Sequence, residues 1–212
     1  MIDIARVMIV DDHVIFRKGL RAVLEEIEFI KVVGEASNGH ELLSMLKKQP
    51  ADLILMDIKM PVMDGIEATR KVTEQFPDTR VIALTMFEEV SYFNKMIEAG
   101  ASGFLLKKTT GDELRKAIEQ VLMDGTWFSE EFIESVNVYM KPQMKKPAVQ
   151  LTDREREVLE YICKGFSNAE IAATLGVSTR TVDGFRAKLL EKTGARNAPN
   201  LVMYAIRNGL VR

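Results

Sequence analysis

LILMDIKMPVMDG, residues 53–65, is the stretch that decides the fold. Leu53, Ile54, Leu55 and Met56 form an apolar run with the length and composition of a strand buried on both faces, and the run stops at one carboxylate, Asp57. That side chain therefore stands at a strand's carboxyl end. A turn containing Pro61 follows, then Asp64 as helix N-cap with Glu67 three residues on, and then a helical pattern through Ile66, Thr69, Arg70, Val72 and Thr73. Strand, carboxylate, loop and helix make half of a parallel α/β unit. Taken alone, Asp57 reads as a turn residue bonded to its own backbone, and only the other strand ends change that reading.

The same alternation recurs on both sides. Val7 to Val10 ends at Asp11 and Asp12, and Val14 to Glu26 has helical apolar spacing. Val32 and Val33 mark a second strand, with a helix after Asn38 carrying Leu42, Leu43 and Leu46. Val81 to Leu84 ends at Thr85, and a helix with Phe93, Met96 and Ile97 runs to Gly100. Phe104 to Leu106 ends at Lys107, and Thr110 with Glu113 caps a helix through Leu114, Ile118 and Leu122. Five βα units imply a parallel sheet with helices on both faces and right-handed crossovers.

In such sheets ligands bind beyond the carboxyl ends of the strands, at the switch point of the strand order. With order 2-1-3-4-5 the second strand is an edge, and the ends carrying Asp11, Asp12, Asp57, Thr85 and Lys107 become neighbours. Carboxylates held together repel unless a cation joins them, and an all-oxygen site with few protein ligands suits Mg²⁺. The Lys107 ammonium and the Thr85 hydroxyl suit phosphoryl oxygens, which makes Asp57 a nucleophile positioned to form an acyl phosphate.

Bulk properties agree with a two-part chain. At 212 residues, 47% hydrophobic and 28% charged, it has material for one large core or two small ones. Residues 1–125 hold 16 Lys and Arg against 21 Asp and Glu, a net of −5, whereas residues 126–212 hold 13 against 10, a net of +3. An acidic site in front and a polyanion binder behind fit that asymmetry. The one cysteine, Cys163, sits in an apolar helical pattern and reads as buried packing. With no apolar stretch of membrane-span length and no signal-peptide pattern, a cytoplasmic location and no membrane partner are expected.

Residues 1–125 resemble a response-regulator receiver domain, and the whole chain resembles the NarL/FixJ family, through VDDH at 10–13, DIKMPVMDG at 57–65, Thr85 and GFLLKK at 103–108. The resemblance implies an α/β, flavodoxin-like (βα)5 domain phosphorylated on Asp57 by a histidine kinase. It also implies that Asp12, Asp57 and the backbone carbonyl of Lys59 bind Mg²⁺, with Asp11 acting through water or as a second ligand. Thr85 and Lys107 would hold the phosphoryl group, and Phe104 would be the aromatic that reorients with the threonine; its bland alternative is a plain packing ring. Met86 departs from the small residue the family prefers and could crowd the site. Lys59 and Phe87 border the path of an attacking water, and His13 reads as a helix-start residue rather than a metal ligand.

Residues 126–148 read as a linker with a short helix from Ser129 to Met140 and a lysine- and proline-rich segment. Residues 149–212 form a small all-α domain. Thr152 with Glu155 and Ser167 with Glu170 are capping boxes, and Gly176-Val177 breaks the chain before a third helix from Thr179, a helix-turn-helix pattern. Val182, Phe185, Leu189 and Leu190 share one face of that helix and are expected core. LTDREREVLEYICKGFSNAEIAATLGVSTRTVDGFRAKL resembles the LuxR-type DNA-binding domain, and a last helix, Leu201 to Asn208, matches its dimerisation helix. Thr179, Arg180, Thr181, Asp183, Gly184, Ala187 and Lys188 are the candidate DNA contacts. Asp183 stands where the family most often has lysine: it either accepts from a cytosine amine, or interacts with a neighbouring cation while phosphate contacts shift to Arg180, Lys188 and Arg196. Arg186 is expected to pair with Glu155 or Glu157.

The expected function is a two-component transcription factor, with a histidine kinase, promoter double-stranded DNA and a second copy of itself as partners. RNA polymerase is a further partner that promoter binding allows. No enzymatic role is expected beyond weak self-catalysed phosphoryl transfer and autodephosphorylation. Two other readings stay open: an aspartate-nucleophile phosphatase, which would usually need an acid where Lys59 stands, and a phosphorylation-independent DNA-binding or interaction protein.

Overall fold

The computed structural model describes residues 4–86, 92–124, 126–128 and 149–210. Phe87, the short helix expected over 129–140 and the rest of the expected linker to residue 148 lie outside the described residues. The chain divides into two compact units, Met1–Gly125 and Thr126–Arg212.

In the first unit β1 (Ala5–Val10), β2 (Ile30–Ala36), β3 (Leu53–Asp57), β4 (Arg80–Thr85) and β5 (Gly103–Leu106) alternate with α1 (Val14–Glu25), α2 (Gly39–Leu46), α3 (Gly65–Gln75), α4 (Phe93–Ala99) and α5 (Gly111–Asp124). The strands stand in the order β2-β1-β3-β4-β5 and the neighbouring pairs are parallel. This is the expected α/β flavodoxin-like arrangement. Every residue of β3 is buried, as a strand covered by helices on both faces requires. Asp57 is itself the last residue of β3, one further than the apolar run suggests, because its backbone still pairs in register with Leu84 of β4. The β1–β2 register shifts between Val7 and Met8, an irregularity that the alternation of apolar residues does not reveal.

Local capping chemistry sets the helix starts. The Asn38 side chain accepts from the backbone of His40 and Glu41, and Asp64 accepts from Glu67 N at 2.8 Å. Gly100 closes α4 with φ 102°, a conformation open to glycine. The loop after β3 is pinned by Gly65 N donating to Ile58 O at 2.9 Å. A Cβ on Gly65 would stand 2.0 Å from the Asp57 carbonyl oxygen, so no other residue fits there without moving the strand end.

The second unit opens with a two-residue strand, Trp127–Phe128, and continues with α6 (Asp153–Cys163), α7 (Asn168–Leu175), α8 (Thr179–Thr193) and α9 (Ala198–Arg207). Both capping boxes form, at Thr152/Glu155 and Ser167/Glu170. Gly176 ends α7 in the left-handed region at φ 65°, which makes the tight turn into α8. Val182 and Leu189 are fully buried, whereas Phe185 and Leu190, expected in the core, are only half-buried at its margin. Helix α9 begins at Ala198, three residues before the expected start, because Asn197 caps Asn200 N and Pro199 fits the first turn. Cys163 is buried, and burial pushes its thiol far up from the ordinary range.

Gly65→Ala is expected to lower the stability of the protein by about 2 kcal/mol or more, read by urea denaturation, since the new methyl meets backbone rather than a flexible side chain.

Candidate functional site

The strand order carries the polar strand ends to one place. Lys107 Nζ lies 2.8 Å from Asp11 Oδ2 and 2.9 Å from Asp57 Oδ1, so one ammonium bridges the ends of β1, β3 and β5. Asp11 is 0% and Asp57 2% exposed, and the Lys107 side chain only 12%. Ile58 N also donates to Asp57 Oδ1 at 2.8 Å. Asp12 follows Asp11 at the rim, with Oδ1 closed off from solvent. One ligand atom each from Asp11, Asp12, His13 and Asp57 lies within 4.8 Å of all the others. Lys107 N donates to Thr85 O at 2.9 Å, which fixes the two strand ends against each other, and the buried Thr85 hydroxyl donates to Met86 O at 3.0 Å.

An open cavity of about 610 Å³ adjoins this cluster, lined among others by His13, Phe16, Asp57, Lys59, Met86 and Lys107. Met86 lines that cavity and is 56% exposed. Lys59 extends over the Tyr92 ring, 5.3 Å from its centroid. Phe104 is 1% exposed and packs edge-on against Phe93, with centroids 4.5 Å apart. His13 does occupy the N-cap of α1, but its side chain makes no capping bond and turns instead toward the carboxylates, an orientation no feature of the sequence signals.

Burial dominates the electrostatics. It raises the Asp57 carboxyl from 3.8 to about 6; the hydrogen bond from Lys107 opposes that and the Asp11 charge adds to it. Burial also pushes Lys107 toward its neutral form, but its hydrogen bonds to Asp11 and Asp57 and their charges outweigh this and hold the ammonium above its usual range. Asp11, Asp12 and Asp57 together offer hard oxygen donors around one point, the donor set that Mg²⁺ takes.

In the second unit, Thr179, Arg180, Thr181, Asp183, Gly184, Ala187 and Lys188 of α8 are all exposed. Among the described residues, no atom outside the helix's own local backbone lies within 4 Å of a Cβ built on Gly184, so their packing does not require glycine there. Asp183 accepts from Asn168 Nδ2 at 2.8 Å, and Asn168 Oδ1 in turn accepts from Arg186, a link from α8 to the first turn of α7. Within the chain a neutral amide, rather than the expected neighbouring cation, takes the Asp183 carboxylate. Arg186 bonds to Asn168 rather than to Glu155, whose buried carboxylate pairs with Lys192 at 2.7 Å and is held below its ordinary range by that bond first and by Thr152 N second. Arg154 pairs with Glu157 at 2.7 Å.

Comparison with known proteins agrees with both units. Residues 7–119 match the response regulator receiver domain, and residues 149–205 match the bacterial regulatory proteins of the luxR family. The uncharacterised transcriptional regulatory protein YhcZ of Bacillus subtilis is 38% identical over 97% of each chain. The response regulator UvrY of Escherichia coli is 34% identical over 96% of this chain and 94% of its own. RcsB of Salmonella enterica serovar Typhimurium, solved bound to promoter rprA in the presence of the phosphomimetic BeF3⁻, aligns with 97% of this chain and 99% of its own at 30% identity and a TM-score of 0.55. A receiver domain and a LuxR-type helix-turn-helix in one chain define a response regulator of a two-component system. The chain belongs to the NarL/FixJ family of these transcriptional regulators. No helix among the described residues is long and apolar enough to cross a membrane.

The raised Asp57 carboxyl has a stability consequence with a definite sign. Well below pH 3.8 it is protonated whether or not the chain is folded; between about pH 4 and 6 the unfolded chain has ionised while the native carboxyl keeps its proton, so the native state loses stability over that window and the loss levels off above about 6. At 1.36 kcal/mol per pKa unit the loss approaches about 3 kcal/mol by neutral pH. In EDTA, Asp57→Asn is therefore expected to gain stability on wild type as pH goes from 4.5 to 7.5. The gain falls short of the full figure because part of the loss is already present at pH 4.5 and because Lys107 loses a charged partner. A difference in urea-unfolding free energy that stays flat or shrinks over that range contradicts the assignment.

Proposed function

We propose that Asp57 is the phosphoacceptor and that its modification by a histidine kinase controls promoter binding by the helix-turn-helix domain. The observation that carries this reading is the bridge of Lys107 between Asp11 and Asp57, beside Asp12, at the mouth of an open cavity. A carboxylate oxygen of Asp57 attacks the phosphorus of a phosphohistidine. The new P–O bond forms as the P–N bond breaks, and the leaving imidazole takes a proton from solvent.

Lys107 keeps its ammonium throughout and moves from neutralising Asp57 to neutralising a phosphoryl oxygen. The Thr85 hydroxyl turns from Met86 O to donate to another oxygen, and Phe104 reorients with it. Asp12, Asp57 and the carbonyl of Lys59 would hold Mg²⁺, with Asp11 directly or through water. When bound, that ion neutralises negative charge that develops on the phosphoryl oxygens. Met86, at the cavity mouth, restricts access of water and donor to the acyl phosphate.

For the DNA-binding domain the supporting observation is Gly184. A glycine inside an exposed helix costs about 1 kcal/mol relative to alanine, and no neighbour among the described residues needs the space. The reason for glycine then lies outside the fold, in the close approach of α8 to a major groove. Thr179, Arg180, Thr181, Ala187 and Lys188 flank it as contacts. Asp183, engaged by Asn168, sets an acidic side chain on the same exposed helix and disfavours phosphate there. The phosphorylated protein binds DNA as a homodimer, and a promoter-bound dimer places RNA polymerase within reach as a partner.

Acetyl phosphate with Mg²⁺ should label the wild type stoichiometrically and Asp57→Ala not at all; persistent labelling of the variant excludes this phosphoacceptor. Turnover of many equivalents of donor would instead favour a phosphatase, and equal DNA binding by wild type and Asp57→Ala a phosphorylation-independent regulator. Gly184→Ala should stabilise the protein by up to about 1 kcal/mol while weakening DNA binding. For wild type, log K should fall with log salt at a slope of about 0.9 per phosphate contacted. Unchanged affinity in Gly184→Ala would remove α8 from the groove.

A further inference from the structure

His13 is the polar residue at the acidic cluster that the phosphoacceptor reading leaves unused. Its Nδ1 lies 2.8 Å from Asp12 Oδ1 and 3.2 Å from Asp11 Oδ1, and its backbone N–H donates to Asp11 Oδ1 at 2.8 Å. The nitrogen thus stands in the same group of mutually close ligand atoms as the oxygens of Asp11, Asp12 and Asp57, all within 4.8 Å of one another. Opposed ligands on a first-row divalent ion are about 4.2 Å apart, twice an ordinary metal–nitrogen distance, so closure needs movements of a few tenths of an ångström. The ring is free to make them, since the His13 side chain is 70% exposed and makes no capping bond to α1. Other cations are already placed: Lys107 faces Asp11 Oδ2 and Asp57 Oδ1 from β5, and Arg17 from α1 donates to the Asp11 carbonyl.

The His13 Nδ1 atom is aimed at two carboxylate oxygens. A divalent ion in the cluster would take the Nδ1 lone pair, with the ring hydrogen on Nε2. Mg²⁺ gains little from such a donor, because it prefers oxygen and retains water. Mn²⁺, Ni²⁺ and Zn²⁺ accept imidazole readily, with affinity rising from Mn²⁺ to Ni²⁺. We propose that His13 is a metal ligand for first-row transition ions, turning the oxygen site of Asp11, Asp12 and Asp57 into a nitrogen-and-oxygen site that holds Mn²⁺ or Ni²⁺ more tightly than carboxylates alone. The inference rests on the reading of that cluster as the divalent-cation site.

The chain has two histidines, His13 and His40, which makes a nitrogen signature assignable. Full-length protein loaded with Mn²⁺ should show electron spin-echo modulation from a directly bound imidazole ¹⁴N. The signal should persist in His40→Ala and vanish in His13→Ala and in His13→Asn, the second of which supplies a side chain suited to capping α1. In calorimetric titrations with the metals alone, both His13 variants should lose about tenfold or more in Ni²⁺ affinity while Mg²⁺ affinity stays near wild type. No nitrogen coupling in the wild type, coupling that survives in the His13 variants, or equal loss for Ni²⁺ and Mg²⁺ overturns the role of His13 and leaves the Mg²⁺ reading standing. Failure of the wild type to bind Mg²⁺, or Ni²⁺ binding indifferent to Asp12→Asn, overturns both.

Discussion

A single ammonium between two buried carboxylates is the constraint around which the receiver domain is built. Asp11 and Asp57 are buried side by side, and Lys107 places its ammonium 2.8 and 2.9 Å from them as the countercharge. Its reach to both demands that β1, β3 and β5 end at one level. The parallel registers Val10 with Met56, Asp57 with Leu84 and Thr85 with Leu106 deliver this. The raised Asp57 carboxyl shows that the countercharge compensates only in part. What remains is a native state that is less stable than its apolar core alone would make it, and that gains from any further cation placed among the oxygens. On the reading proposed above, stability has been exchanged for reactivity at one oxygen, which is where strain of this kind is usually found.

Much of this was legible in the sequence because its causes are local. Short apolar runs each stopped by a polar residue give strands and strand ends; Asn38, Asp64, Thr152 and Ser167 announce helix starts through hydrogen bonds that span two or three residues. The sheet order follows from crossover rules once five βα units are recognised. Gathering Asp11, Asp57 and Lys107 then needs no further information. Side-chain pairings between elements are different, since they depend on angles and rotamers that no spacing encodes. Arg186 reaches Asn168 rather than a glutamate of α6, Lys192 takes the buried Glu155 instead, and the His13 side chain turns away from the helix that it precedes. The early start of α9 has another cause: its signal is the Asn197 cap and Pro199, which lie before the apolar run that marks the helix.

On the proposed reading of α8 as the DNA-facing helix, the helix-turn-helix domain keeps a charge on its recognition surface without leaving it unsatisfied. Asn168 offers its amide hydrogen to Asp183 and its carbonyl oxygen to Arg186, so one neutral side chain at the start of α7 mediates between an anion and a cation on α8. Direct pairing of Asp183 with Arg186 would cancel both charges toward a partner. Mediation by an amide leaves each charge in place and fixes its direction. The surface of α8 is therefore a patterned one, with Arg180 and Lys188 at separate turns and Asp183 between them. A pattern of that kind discriminates among sequences better than it attracts backbone in general, because the acidic residue penalises every register that sets a phosphate against it.

How modification at Asp57 would be felt elsewhere is constrained by the packing around Thr85 and Phe104. Thr85 donates its hydroxyl to Met86 O, and Phe104, two residues before Leu106 that pairs with Thr85, is buried edge-on against Phe93 of α4. A fully buried ring has no intermediate positions, since partial movement opens a gap on one side and a clash on the other. A phosphoryl group that draws the Thr85 hydroxyl away from Met86 would therefore favour one of two discrete ring placements rather than a graded shift. Its leverage equals the difference in its binding to the two placements: moving a 1:99 population to 99:1 takes about 5.5 kcal/mol. One charge-assisted hydrogen bond from Thr85 contributes roughly 1.5–3 kcal/mol of that. The remainder has to come from Lys107 exchanging a carboxylate for a phosphoryl oxygen, so threonine and lysine act together, and loss of either would leave the population mixed.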